Sequence, residues 1–235
     1  FLFPGLCYTL FLFLDLVLWG YHSTASIPLL SMLALIALWF GISVPLVFLG
    51  AFFGYKQEPL SYPIKQSNTI ARPIPEQPWY LGTIFTVMVG GILPFGACFV
   101  EFFFILSSMW MNQYYYVFGF ALLVFVILII TCAEITVVLI YFQLCSEDYH
   151  WWWRSFLTSG STAIYVFLYS AIYFSRLEPV MWVTYVLYFS YMTMLSLAIF
   201  LVTGTVGFTS CLWFTKKIYS SIKVDWKRYE GSNQS

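Results

Sequence analysis

Long apolar segments alternate with short polar segments along the whole chain. A helix of about 20 mainly apolar residues spans the hydrocarbon core of a bilayer, and backbone groups in lipid need internal hydrogen-bond partners, so spanning segments are helices or strands of closed barrels. Barrel strands alternate apolar and polar residues, whereas residues 121–130 read ALLVFVILII. The pattern therefore predicts an all-α, polytopic integral membrane bundle with about six transmembrane helices. The predicted spans are 1–19, 27–55, 81–108, 114–144, 155–174 and 179–215.

The composition agrees with this fold class and excludes others. Apolar residues make up 61% of the chain, aromatic residues 23% and charged residues 9%, whereas soluble domains carry about 25% charged residues. The formal net charge is zero, which gives no indication of nucleic-acid binding. The five cysteines are scattered singly, so neither a metal site nor a disulfide framework is expected. No P-loop, GxGxxG, HExxH or GxSxG motif is present, and we expect no cofactor and no enzymatic activity.

The basic residues predict how the helices are oriented, because lysine and arginine in short loops favour the cytosolic side. The last apolar segment, 179–215, is either one long helix or two helices broken near Thr203–Gly207. One helix puts nine basic residues on the side of a cytosolic C-terminus and only Arg176 on the other, whereas two helices give six against four. Six spans with a cytosolic C-terminus are therefore predicted. The nine residues are Lys56, Lys65, Arg72, Arg154, Lys216, Lys217, Lys223, Lys227 and Arg228.

This orientation places the loop 56–80 and the aromatic turn Tyr149–Trp153 in the cytosol. The loop contains five prolines and is predicted to be irregular. The aromatic residues are expected to anchor the chain at the membrane surface, with a lipid-headgroup or partner site as the alternative. Residues 226–235 are polar and are interpreted as a tail or the remnant of an added segment. Phe1–Trp19 has no basic residue before its apolar run, so no secretory signal is expected, and we expect both ends to differ from those of a natural protein.

Three acidic residues lie within the apolar segments: Asp15, Glu101 and Glu134. Ionised acids are costly in hydrocarbon, so they usually face the bundle interior or a hydrated cavity. Glu134 is predicted to be the deepest of the three, and no basic residue in the apolar core is available as a partner. The acids are either neutral, hydrogen-bonded structural residues or part of a proton or cation relay, and the sequence does not place them together.

Glycine and proline are concentrated in the third span as GGILPFG, which contains Gly90, Gly91, Pro94 and Gly96. Small residues let helix backbones approach closely, and Pro94 is expected to kink its helix. Close packing within the bundle is one interpretation of these residues. A groove for the transmembrane helix of another protein is the second, and a broken helix at a transport site is the third.

Several longer stretches carry a resemblance to one family. They are GGILPFG (90–96), YYVFGF (115–120), YFQLCSEDYHWWWRSFLTSG (141–160), LVTGTVGF (201–208), KIYSSIKVD (217–225) and PIPEQPWY (73–80). Together and in this order they resemble the nonaspanin, or transmembrane-nine, family over nearly all of residues 1–225.

The resemblance implies a longer protein with a lumenal N-terminal domain and nine spans, of which residues 1–225 would be the last six. It also implies residence in the Golgi and endosomes, and a role in delivering membrane proteins with glycine-rich transmembrane segments. The Lys-x-Asp of the family, which resembles a retrieval signal for the COPI coat, corresponds to Lys223 and Asp225. In the family this motif ends the chain, whereas ten residues follow Asp225 here, so retrieval is expected to be poor if the coat requires a free terminal carboxylate.

Three functions remain open at this point. The first is a non-enzymatic sorting factor that binds client transmembrane helices in a groove of small residues, in contact with membrane lipids, the COPI coat and the remainder of its own chain. The second is a transporter or channel for a small solute, protons or cations that uses Glu134 and Glu101. The third is a lipid-binding or scrambling protein that uses the aromatic turn 149–153.

Overall fold

The structure is a computed structural model that describes residues 2–21, 27–57, 73–111, 114–176 and 182–221. Most of the loop 56–80, the retrieval motif with Lys223 and Asp225, and the tail 226–235 lie outside the described residues.

Helices dominate the described part of the chain, and no strand occurs there. A five-residue π-helical segment, Trp39–Ser43, follows the second helix, and a short 3-10 turn, Trp79–Leu81, precedes the fourth. The α-helices are α1 (Leu2–Gly20), α2 (Leu29–Leu38), α3 (Val44–Tyr55), α4 (Thr83–Trp110), α5 (Tyr114–Cys145), α6 (Trp151–Gly160), α7 (Thr162–Ser175) and α8 (Trp182–Ser221).

Six helical segments of the described chain are long and apolar enough to cross a membrane. The predicted all-α polytopic fold is therefore confirmed. The six segments are Phe3–Gly20, Leu30–Tyr55, Thr83–Ser108, Val117–Cys145, Trp151–Ser175 and Trp182–Ser220.

One span boundary and one stretch of helix geometry differ from the sequence-based expectation. The helix of the fifth span begins at Trp151 rather than at residue 155, so Arg154 lies within the first turn of this helix. The second span changes to a π-helix where the Val44 N–H bonds to the carbonyl of Trp39, five residues earlier. The wide turn lies directly before Pro45, whose ring has no N–H and clashes with the carbonyl four residues earlier in a regular α-helix.

The last span is one helix of 40 residues, Trp182–Ser221, and it continues through Thr203–Gly207 without a break. Glycine lowers helix propensity by about 1 kcal/mol, but an interrupted helix in lipid would leave backbone groups without partners. The four residues Thr203, Gly204, Gly207 and Cys211 are buried on one side of α8, so this stretch is a packing surface rather than a hinge.

The chain forms two compact units. The first comprises residues 1–61 and 178–194, and in it Leu14 and Met32 are buried while most large apolar side chains of α2 and α3 are exposed. The second comprises residues 62–177 and 195–235. Its buried apolar cluster comes from α4, α5 and α7. The cluster consists of Cys98, Phe102, Val124, Leu128, Cys132 and Val166.

The fifth span is the most buried of the six candidate spans in the described residues. Half of its 18-residue apolar window is buried, against 6% for the second span. Its buried residues include Ser155, Thr158, Ser159 and Thr162, which are polar. In a buried polar span most hydroxyl groups find partners within the bundle, whereas Oγ1 of Thr158 has no hydrogen-bond partner among the described residues.

Candidate functional site: a polar seam in the second unit

Two glycines of α4 allow α6 and α7 to lie against its backbone. A Cβ atom added at Gly90 would lie 2.1 Å from Cγ2 of Thr158, and one at Gly91 would lie 2.2 Å from Oγ of Ser161 and 2.8 Å from the backbone N of Thr162. Such distances are too short for non-bonded atoms. Helices of the same chain therefore occupy the space next to both glycines, and the predicted client groove is not open at Gly90 and Gly91.

The remaining two residues of the predicted groove lie in different surroundings. Pro94 is fully buried within the continuous helix α4. A Cβ at Gly96 would meet nothing within 4 Å, and the residue is exposed. In the motif GGILPFG the first two glycines and Pro94 are therefore packed, whereas Gly96 is open. The spacing of these residues in the sequence does not show this difference.

A second set of glycines brings α6 against the part of α8 that belongs to the second unit. An added Cβ at Gly207 would lie 2.5 Å from Cβ of Ser159, and one at Gly204 would lie 2.6 Å from Cε2 of Phe156. The ring of Phe156 packs edge to face with that of Phe200, with 5.3 Å between their centroids. These glycines were considered above as a possible helix break, and small residues spaced three or four apart are the signal of close packing.

Serine hydroxyls cross the helix interfaces at these glycine contacts. The Ser161 hydroxyl donates to the carbonyl of Val87 in α4 at 2.7 Å, and the Ser159 hydroxyl donates to the carbonyl of Thr203 in α8 at 2.6 Å. Interhelical hydrogen bonds of this kind contribute about 0.6 kcal/mol each in membrane proteins. We call the four residues at the centre of this packing the polar seam. They are Thr158, Ser159, Ser161 and Thr162.

A buried arginine lies one helical turn from the polar seam. Arg154 is 7% exposed and donates to Oδ2 of Asp148 at 3.2 Å and to Oγ1 of Thr86 at 2.9 Å. It also donates to the carbonyl of Leu81. The Asp148 carboxylate further accepts the side-chain amide of Gln143 at 2.9 Å. The charged guanidinium is thus paired and joins the start of α4 to the turn before α6.

The end of α5 explains why Asp148 points toward Arg154. Glu147 has φ 60°, a left-handed conformation that costs about 1 kcal/mol for a residue with a Cβ. The N–H of Asp148 bonds to the carbonyl of Gln143, and that of Glu147 bonds to the carbonyl of Leu144, which is the Schellman arrangement. The reversal brings the Asp148 carboxylate to the N-terminus of α6, where it also accepts the backbone N–H of His150 at 3.0 Å.

Sequence reasoning missed this ion pair. Arg154 was counted as a loop charge because it follows polar and interfacial residues, and the apolar core was expected to contain no base. The available signal was the acid Asp148 six residues earlier, separated from Arg154 only by aromatic residues. A separation of six residues does not place two side chains on one face of a helix, so the pair becomes predictable only once the turn at Glu147 is known.

The two acids of the second unit are not brought together. The helices α4 and α5 are antiparallel, since the Cys98 thiol lies 4.0 Å from the carbonyl of Val124 while Gly90 lies beside Leu139. Glu101 is therefore level with about residue 121 of α5, and Glu134 lies about 20 Å farther along the axis at about 1.5 Å per residue.

Their environments also differ. Oε2 of Glu101 is buried, with no hydrogen-bond partner among the described residues, whereas Glu134 is exposed on the surface of α5. Within this chain one oxygen of Glu101 therefore faces the bundle interior and Glu134 does not, and the choice between structural acids and a relay stays a prediction. Among the described residues there is no group of three or more histidine, cysteine, aspartate or glutamate side chains that could hold a metal ion.

The third acid belongs to the first unit. Asp15 is 8% exposed, and its Oδ1 accepts the backbone N–H of Ile27 at 2.8 Å. It lies beside a cavity formed by α1 and the start of α2.

Six helical segments of the described chain that are long and apolar enough to cross a membrane define a polytopic α-helical integral membrane protein. The Endomembrane protein 70 family matches residues 1–180, and the chain belongs to this family. It is 59% identical to Transmembrane 9 superfamily member 9 of Arabidopsis thaliana over 226 residues, 96% of this chain and 35% of that protein.

Animal proteins are similar over the same region. Identity is 51% to Transmembrane 9 superfamily member 2 of Homo sapiens, over 96% of this chain and 34% of the relative. It is 47% to member 4 of Homo sapiens, over 95% of this chain and 35% of the relative. The chain thus spans about a third of the length of these relatives. No solved structure matches it.

Proposed function

We propose that this protein is a non-enzymatic sorting factor of Golgi and endosomal membranes that binds the transmembrane helices of other membrane proteins, glycine-rich helices in particular. Membership of an endomembrane family and the resemblance described above support the proposal. In it the C-terminus lies in the cytosol, and Lys223 and Asp225 contact the COPI coat.

The observation that carries the proposal is an exposed polar surface on a membrane-spanning helix. On α8 a depression of about 280 Å³ is lined by Thr205, Val206, Thr209 and Ser210, and Thr205 and Thr209 are exposed. We call these four residues the client surface.

The hydroxyl groups of the client surface are suited to a glycine-rich helix. Thr205 donates to the carbonyl of Leu201 at 2.9 Å and Thr209 to that of Thr205 at 2.7 Å, so each hydroxyl proton is used and oxygen lone pairs remain. Glycine lets another backbone approach closely, and its Cα–H groups can then donate weak hydrogen bonds to such oxygens. A client with bulky side chains would keep its backbone out of reach.

Replacing both threonines, Thr205→Val and Thr209→Val, is expected to reduce the co-purification of a glycine-rich transmembrane client about fivefold. Valine keeps the shape but removes two acceptors, each worth about 0.5 kcal/mol. Client recovery from membranes is measured at equal expression. Thr193→Val is the matched control, because Thr193 is also exposed on α8 and bonds to the carbonyl four residues earlier. Equal recovery with the double variant and the control would contradict the proposal.

Transport through intramembrane carboxylates is the alternative, and the unpartnered Oε2 of Glu101 is the observation in its favour. The separation of about 20 Å between Glu101 and Glu134 along the bundle axis counts against a direct relay between them. We expect liposomes with the reconstituted full-length protein to show the same proton flux with and without Glu134→Gln. A proton leak in the original protein that this substitution abolishes would favour the transporter over the sorting factor.

A further inference from the structure

A cavity of about 650 Å³ lies between the end of α1 and the start of α2. Ligand sites in proteins typically have volumes of about 300–1,000 Å³. Described residues of the first unit line it, and apart from one carboxylate they are apolar. The lining consists of Leu12, Asp15, Leu16, Trp19, Ile27, Pro28 and Met32.

Asp15 is the ionisable side chain among these lining residues. The residue is 8% exposed, and Oδ1 is held by the N–H of Ile27 at 2.8 Å. That bond spans twelve residues and ties the last turns of α1 to the start of the next span. It fixes the carboxylate at the cavity wall, where a cation in the cavity would compensate its charge.

The wall around Asp15 selects among cations. Calcium takes six to eight oxygen ligands, and the side chains of the lining offer one carboxylate. A primary ammonium group brings three N–H donors that need acceptors, which Leu12, Leu16 and Met32 do not provide. A quaternary ammonium group has no N–H donor, and an indole face such as that of Trp19 attracts it through cation–π interaction.

The depth of the cavity indicates where such a cation comes from. Asp15 lies five residues before the last residue of α1, about 7 Å along the helix axis, and Trp19 is 71% exposed near that end. Tryptophan favours the level of the lipid headgroups. The carboxylate therefore lies just below the headgroup layer, with Leu16 exposed beside it for acyl chains.

We propose that the cavity at Asp15 and Trp19 binds the choline headgroup of a phospholipid. The carboxylate compensates the trimethylammonium charge and Trp19 packs against its methyl groups, while the phosphate and glycerol of the lipid lie outside the apolar cavity. This site is separate in sequence from the client surface and from the aromatic turn 149–153.

The test is photolabelling of the full-length protein in nanodiscs that contain a photoactivatable phosphatidylcholine. Labelled peptides from residues 12–32 are quantified by mass spectrometry. Asp15→Asn is expected to reduce labelling there about tenfold, and Trp19→Leu about threefold. Asparagine retains Oδ1 as the acceptor for the N–H of Ile27, so the link between the helices remains, and the melting temperature of each variant verifies the fold.

Three comparisons make the result decisive. Glu134→Gln, which removes an exposed intramembrane carboxyl group elsewhere, is expected to leave the labelling of 12–32 unchanged. A photoactivatable phosphatidylglycerol with the same acyl chains is expected to label this region weakly. Equal labelling by both lipids, or undiminished labelling of Asp15→Asn and Trp19→Leu, would overturn the proposal. Absence of any labelling of residues 12–32 by the photoactivatable phosphatidylcholine would overturn the assignment of a lipid headgroup.

Discussion

Arg154→Met is expected to lower the free energy of unfolding of the second unit by about 3 kcal/mol. Removing one member of a buried ion pair leaves the other charge uncompensated, which typically costs about 3–5 kcal/mol. We expect the lower end of this energy range because Asp148 keeps the hydrogen bonds from the Gln143 amide and the His150 N–H. Thermal unfolding of the purified protein in detergent, followed by intrinsic fluorescence, measures the change.

Two comparisons separate the ion pair from a general loss of positive charge. Arg176→Met removes an exposed arginine at the end of α7 and is expected to change stability by less than about 0.5 kcal/mol. The double variant Arg154→Met, Asp148→Asn is expected to recover part of the loss, because the uncompensated carboxylate is gone. If Arg154→Met and Arg176→Met unfold at the same temperature, the buried network does not stabilise the bundle as described.

Gly91→Ala is expected to destabilise the bundle by about 2 kcal/mol. The new methyl group would lie 2.2 Å from Oγ of Ser161 and 2.8 Å from the backbone N of Thr162. A side-chain oxygen can rotate away, whereas the backbone at the junction of α6 and α7 has to shift, and overpacking of this kind costs about 1–3 kcal/mol. The unfolding temperature and the retention of a single size-exclusion peak measure the effect.

Gly96→Ala is the matched control, five residues along the same helix. Its added methyl group meets nothing within 4 Å, and alanine has a higher helix propensity than glycine by about 1 kcal/mol. Unchanged or slightly raised stability is therefore expected. Equal destabilisation by Gly91→Ala and Gly96→Ala would contradict the close packing of α4 against the polar seam.

This expectation replaces the interpretation of Gly90 and Gly91 as an open client groove. A small residue in a membrane helix indicates that something comes close to the backbone, but the motif does not name the neighbour. In this structure the neighbours are Thr158 and Ser161 of the same chain. A loss of client binding in a Gly91 variant would therefore report on a disturbed bundle as well as on a lost contact.

The three acids also show that the sequence gives the position of a residue but not its surroundings. Their positions within apolar segments are visible in the sequence, but the direction in which each points depends on the packing around its helix. Asp15 accepts a backbone N–H, one oxygen of Glu101 is buried and Glu134 is exposed. A common explanation for all three as one relay does not follow from that arrangement.

The sequence by itself determined the number and approximate position of the membrane-spanning helices, because hydropathy over about 20 residues is a local property. Only the tertiary structure decided that Arg154 is buried, since its partners Leu81 and Thr86 lie 73 and 68 residues away in the sequence. Only the tertiary structure likewise decided which glycines have a neighbouring helix packed against them and which polar groups remain exposed. Helix formation in lipid is enforced segment by segment, whereas charge pairing and close packing depend on which segments meet.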